Sequence, residues 1–131
     1  MSGKTLKELV RDIEFTVTDN DTTTPNIAIQ LVDIAGNDCD EAVKLEIYLS
    51  TDADGDTLAV DGTDTTEIAV GTNGVILYEP STDIIIVAKT DTDGQLDLEV
   101  TVVDTKSVYV NVVHPTTGEI VTCPTALYYT S

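Results

Sequence analysis

"AKTDTDGQLDLEVTV", residues 88–102, decides the fold. Its second half alternates Leu96, Leu98, Val100 and Val102 with Asp97, Glu99 and Thr101. Apolar side chains at every second position define a strand with one buried and one wet face. Its first half, Thr90 to Gly94, has the residue types of either a metal-chelating loop or a tight turn. An Asp side chain can bond its own backbone two residues on while a glycine takes φ > 0, which turns the chain between two strands. A calcium loop of the EF-hand kind needs about six or seven oxygens closed by a bidentate Glu. Nothing after Asp93 supplies that spacing, so the turn is the expected role.

The same period runs outward in both directions. Ile27, Ile29 and Leu31 alternate in one run, and Val43, Leu45, Ile47 and Leu49 in another, with "DIAGNDCDEA" between them. After a long polar insert at 50–67 come "GVILY", "DIIIVAK", "LDLEVTVV", "SVYVNVV", "EIVTC" and "TALYY", separated by "EPST", "TDTDGQ", "DTK" and "HPTTGE". Short strands at this spacing, with turn formers between them and no internal helical period, describe an all-β antiparallel β-sandwich. The expected inward residues include Ile29, Leu31, Leu45, Ile47, Val87, Leu98, Val100, Val110 and Val112, because a one-residue slip would bury the charged set instead. "DIIIVAK" is apolar at consecutive positions, the pattern of a strand covered on both faces.

The first segment differs. Leu6, Leu9, Val10 and Ile13 recur at three- and four-residue spacing, which suits a short helical or extended arm that packs on something apolar. Ile13, Phe15 and Val17 then alternate with Asp12, Glu14 and Thr16, so the arm hands over to a strand. The run "DNDTTTP", residues 19–25, reads as a linker. The expected organisation is therefore an N-terminal arm and linker over 1–25, a sandwich over 26–123 and a C-terminal extension over 124–131.

Composition narrows the function. Aromatic residues make up 5% of the chain, so the core must be built from Val, Ile and Leu. A formal net charge of −18, from 24 acidic against 6 basic residues, repels nucleic acid and anionic lipid, and neither is an expected partner. The acidity fits either solubility and protected sheet edges or adaptation to high salt. No stretch approaches the ~18 apolar residues of a membrane span, and the start has no signal-peptide apolar run, which points to folding in a cytoplasm. Cys39 and Cys123 are then expected as thiols, with a disulfide as the alternative in an oxidising compartment.

Candidate chemistry is sparse. Asp52, Asp54 and Asp56 alternate as the first ligands of a calcium loop would, but Gly55 falls ahead of the place where that loop needs its glycine and Thr63 stands where the bidentate Glu is required. Calcium is thus a weak candidate there, and no other cofactor is expected. Zinc is disfavoured by one histidine and two distant cysteines. His114, in "VVHPTTGE", fits a turn between two strands. No nucleophile elbow, phosphate-binding glycine loop or metal-hydrolase helix is present, so no catalytic residue is assigned and the chain is read as a non-enzyme.

"QLVDIAGNDCDEAVKLEIYLST", "KTDTDGQLDLEVTV" and "KSVYVNVVHPTTGEIV" together resemble the bacterial Ig-like modules of invasin-type adhesins and of many tailed-phage virion proteins. The resemblance rests on Asp33, Gly36 and Asn37; on Leu49 and Ser50; on Thr90, Asp91, Asp93 and Gly94; and on Tyr109 and Val110. It covers roughly residues 26–123 and implies an Ig-like sandwich. By that likeness the chain is expected to be a structural virion protein, a capsid decoration, cement or tail-associated subunit. It would be made in the host cytoplasm, be present in multiple copies or as a homo-oligomer, and bind capsid or tail protein through Leu6, Leu9, Val10 and Ile13. Two alternatives stand beside it: an adhesive module binding cell-surface carbohydrate or protein, and a calcium-dependent binding module.

Overall fold

A computed structural model describes residues 10–131, and over that range the chain is all-β. The strands are β1 (Val10–Thr18), β2 (Asn26–Asp33), β3 (Lys44–Ser50), β4 (Thr65–Val70), β5 (Val75–Ser81), β6 (Ile85–Lys89), β7 (Gln95–Val102), β8 (Lys106–Val113), β9 (Ile120–Thr122) and β10 (Leu127–Tyr129). They form two packed antiparallel sheets, the first in the order β1-β2-β7-β4 and the second in the order β10-β8-β3-β6-β5, with β9 also paired to β8. The connections β2–β3 and β7–β8 both cross between sheets, and β2 neighbours β7 while β3 neighbours β8. These two crossing pairs interlock at the middle of the sandwich, so the longest alternating runs of the sequence occupy its centre.

Alternation places the core as the sequence demands. Ile27, Ile29 and Leu31 of β2 meet Leu96, Leu98 and Val100 of β7 across the interior from Leu45, Ile47 and Leu49 of β3 and Val108, Val110 and Val112 of β8, all buried. Burying such a side chain contributes roughly 1.5–3 kcal/mol, and a register slip would forfeit it along a whole strand. Val87 is a correction. It is buried, but it lies between the inward Ile86 and Ala88 and opposite Glu46, so it faces out of the sandwich. The consecutive apolar residues of "DIIIVAK" therefore serve both faces of β6.

The ends of the chain also differ from expectation. Residues 10–18, assigned to the arm, form the edge strand β1, paired to β2 from Val10↔Asp33 to Thr18↔Asn26. Ile13, Phe15 and Val17 pack against the core at the strand period, and Val10 is buried in it beyond a register shift between Val10 and Asp12. The expected linker is fastened to the C-terminal strand. Asn20 Nδ2 donates to the Ala126 carbonyl, Asn20 Oδ1 accepts from Tyr128 N, and Asp21 Oδ1 accepts from Thr130 N. The expected C-terminal extension supplies β10, whose Leu127 is fully buried against β8. Leu6 and Leu9 lie outside the described residues.

Turn chemistry agrees with the residue types. Asp91 Oδ1 accepts from Asp93 N and Gln95 N, and Gly94 has φ +71°, so "TDTDG" is a side-chain-closed turn. Asp33 Oδ1 closes "DIAGN" in the same way through Ala35 N and Asn37 N.

Candidate functional site

Directly opposed residues in an antiparallel ladder share a face, so the register assigns every outward side chain of the second sheet. One cross-strand row runs Ile120, Val113, Glu46, Val87, Tyr78 over β9, β8, β3, β6 and β5. The next runs Thr122, Asn111, Tyr48, Ile85, Ser81. Beyond these lie Tyr109 opposite Ser50, and Tyr128 opposite Ser107. Four of the five tyrosines, Tyr48, Tyr78, Tyr109 and Tyr128, therefore stand on this one face, and only Tyr129 packs against the core. Tyr78 is 56% exposed and Ile120 46% exposed, so large apolar surface remains open to water.

The charge on this face is unlike that of the rest of the molecule. Among its paired positions Glu46 is the sole carboxylate, while Lys44 and Lys89 are direct partners across β3 and β6. Like charges directly opposed repel. Neither ammonium has an ion pair among the described residues, where the one salt bridge joins Arg11 to Asp12. The outward paired positions of the first sheet carry Asp12, Glu14, Glu67, Asp97 and Glu99, against the single cation Arg11, which is already ion-paired to Asp12. A recess of about 290 Å³ opens beside the lysine end, lined by Lys44, Glu46, Val113, His114, Pro115 and Gly118.

At the opposite end the acidic insert folds onto the sheet. Tyr48 OH donates to the Gly55 carbonyl at 2.8 Å, and Ser50 Oγ donates to the Asp52 carbonyl. Beneath that loop Asn111 is fully buried. Its amide donates to Tyr48 O, Ser50 Oγ and Tyr109 O and accepts from Thr122 Oγ1, which satisfies a polar group that burial would otherwise penalise. Burial raises the Tyr48 phenol above its ordinary value, and Asp56 and Asp52 reinforce the shift, so the hydroxyl stays a donor.

This geometry assigns the calcium candidates a local task. Asp52 Oδ1 accepts from Asp56 N at 2.9 Å and Thr57 N at 3.2 Å, closing the loop as an N-cap does. Among the described residues no group of three His, Cys, Asp or Glu is disposed to hold a metal ion. The rest of the insert also packs: Ala59 is buried in the core, and Asp64 Oδ2 accepts from Val60 N.

His114 is a clamp in the turn between β8 and β9. Its Nδ1 faces Thr116 N and Thr117 N, which makes that nitrogen the acceptor, and Nε2 lies 2.8 Å from the Arg11 carbonyl, to which it donates. The ring thereby ties β1 to the far sheet. Cys39 and Cys123 are buried free thiols. Burial pushes both up, and Asp33, Asp40 and Asp38 raise Cys39 further, which keeps them protonated and unreactive. A second recess, about 280 Å³, lies on the outer face of the first sheet over Thr16, Ala28, Gln30, Asn73, Gln95 and Asp97. Its carboxylate is already engaged by Thr72 N, Asn73 N and Asn26 Nδ2, and the Gln30 amide by Gln95 and the Asp93 carbonyl.

Of the partner-binding residues expected from the sequence, Val10 and Ile13 are thus part of the molecule's own packing. The tyrosine face was not found from the sequence because its members lie on strands far apart in the chain. Comparison with protein-family models, with curated proteins and with solved structures gives no match.

Proposed function

We propose that the protein is a non-enzymatic structural subunit of a virus particle, a decoration or tail-associated module that works by protein–protein contact. The observation that carries this reading is the outer face of the second sheet, where four tyrosines and the apolar Val113, Ile120 and Val75 collect on a molecule of net charge −18. Tyrosine is enriched in protein interfaces because it adds large contact area at low conformational cost and keeps a polar handle. Depletion of carboxylates at the centre of such a patch is the matching signature. The turn motifs and the interlocked crossing strands support the Ig-like resemblance, and that resemblance supports the particle assignment.

Mass spectrometry of purified particles from the source tests the assignment directly, and the chain should appear among the virion proteins in multiple copies. Tyr78→Ser with Tyr128→Ser should fold normally and fail to incorporate. Absence of the chain from particles, or normal incorporation of the double variant, overturns the reading.

A further inference from the structure

The tyrosine face is electrically polar from end to end, and this decides what fits it. Lys44 and Lys89 stand together at one end, with no ion pair among the described residues. At the other end the loop over Tyr48 and Asn111 carries Asp52, Asp54 and Asp56, with Asp54 and Asp56 exposed. A two-fold axis lying in the interface and running across the strands would set the lysine end of each copy against the acidic loop of the other. Resting on the reading of this face as an assembly contact, we infer that its occupant is a second copy of the chain, packed face to face as an isologous dimer.

Three features support that occupant over an unrelated partner. The charges are self-complementary under a two-fold operation, because cation and anion sit at opposite ends of the same patch. Elsewhere two copies of net charge −18 repel each other, whereas on this face the strand positions carry two ammonium groups and one carboxylate, and each acidic loop would lie against the other copy's lysines rather than against its own kind. The size is also adequate. Five strands ~4.8 Å apart and about seven residues long give a sheet face of ~550 Å², one end of which lies under the Tyr48–Gly55 loop, so that the loop's own outer surface is part of the contact. The end loops bring it toward the roughly 800 Å² per partner of a standard interface. Outward apolar side chains from two such sheets would interdigitate as in sheet-on-sheet packing, about 10 Å apart.

The global repulsion is long-range and the end-to-end pairing short-range, so the salt dependence is distinctive. Association should be weaker at about 0.01 M salt, where the Debye length is ~30 Å, than at about 0.15 M, where it is ~8 Å. Sedimentation velocity on the full chain at about 0.15 M salt should show a dimer. Lys44→Glu with Lys89→Glu should shift it to monomer with an unchanged far-UV spectrum and a melting temperature that no longer rises with protein concentration. Adding Asp54→Lys and Asp56→Lys to that variant should restore the dimer, a recovery that general loss of surface charge balance would not produce. A monomeric wild type, a dimeric double variant or a quadruple variant that stays monomeric overturns the proposal. If the wild type is monomeric yet Tyr78→Ser with Tyr128→Ser still abolishes incorporation into particles, the dimer is refuted while the assembly face stands. If the dimer forms and that tyrosine variant incorporates normally, the particle reading fails alone.

Discussion

Gly55 lies directly over Asn111: a Cβ built on the glycine would stand 2.6 Å from Asn111 Oδ1, and φ there is +73°. The acidic loop can close onto the sheet only because that position has no side chain. Gly55→Ala should cost about 1–3 kcal/mol in urea unfolding at unchanged m-value. Asn111→Ala should cost a similar amount, because it leaves Ser50 and Thr122 without their buried partner. In the double variant the two losses should fall short of additive by more than about 0.5 kcal/mol, since the clash and the amide are the same contact. Strict additivity would show that the loop does not rest on Asn111.

Val10 is a core residue of an edge strand, although its spacing in the sequence belongs equally to an apolar arm. Val10→Ala should destabilise the sandwich by about 1.5–3 kcal/mol, measured by chemical denaturation. Removal of residues 1–12 should lower the melting temperature by at least as much, because it deletes Val10 and the Val10↔Asp33 and Asp12↔Val32 pairs with it. A truncation that melts like the full chain would place β1 outside the cooperative unit.

The two thiols have raised pKa values through burial, above the ordinary 9.0. A group whose folded pKa exceeds its unfolded one stabilises the fold below the unfolded value and ceases to do so as pH rises through the folded one. Stability should thus be insensitive to the thiols at pH 7 and should decline above about pH 9. Cys39→Ala with Cys123→Ala should flatten that alkaline decline. At pH 8 a disulfide-exchange reagent should label the native protein slowly and the urea-unfolded protein at once. Rapid labelling of the folded protein would contradict the burial.

Asp52 closes its loop through two backbone N–H groups, so Asp52→Ala should cost about 1 kcal/mol whether or not calcium is present. At constant ionic strength, millimolar calcium should leave the melting temperature of the parent protein unchanged. A calcium-specific rise that disappears with Asp52→Asn and Asp54→Asn would restore the metal reading of this loop.

Much of this molecule was legible from alternation alone. Leu96, Leu98 and Val100 point inward because a strand sends every second side chain to the same face, and no neighbour has to be known to say so. The turns at Asp33 and Asp91 were legible for the same local reason: a short carboxylate can reach its own backbone, and the glycine that follows can turn left-handed. Val10 and Val87 were misread where local pattern is ambiguous. Val10 is out of step with the alternation of Ile13, Phe15 and Val17 and reaches the core only through the register shift between Val10 and Asp12, and in "DIIIVAK" five consecutive positions are apolar, so nothing marks which residues face the core.

The sequence by itself determined that this chain forms strands, where most of them turn, and which residues of the alternating strands are buried, because those choices are made within a few residues of one another. Only the tertiary structure decided that β3 lies between β8 and β6. That placement gathers Tyr48, Tyr78, Tyr109 and Tyr128 on one face, sets Lys44 beside Lys89, and lays the Asp52–Asp56 loop over Asn111. Strand order is a long-range choice, made by the fit of two buried faces across the sandwich, and no local period in the chain records it.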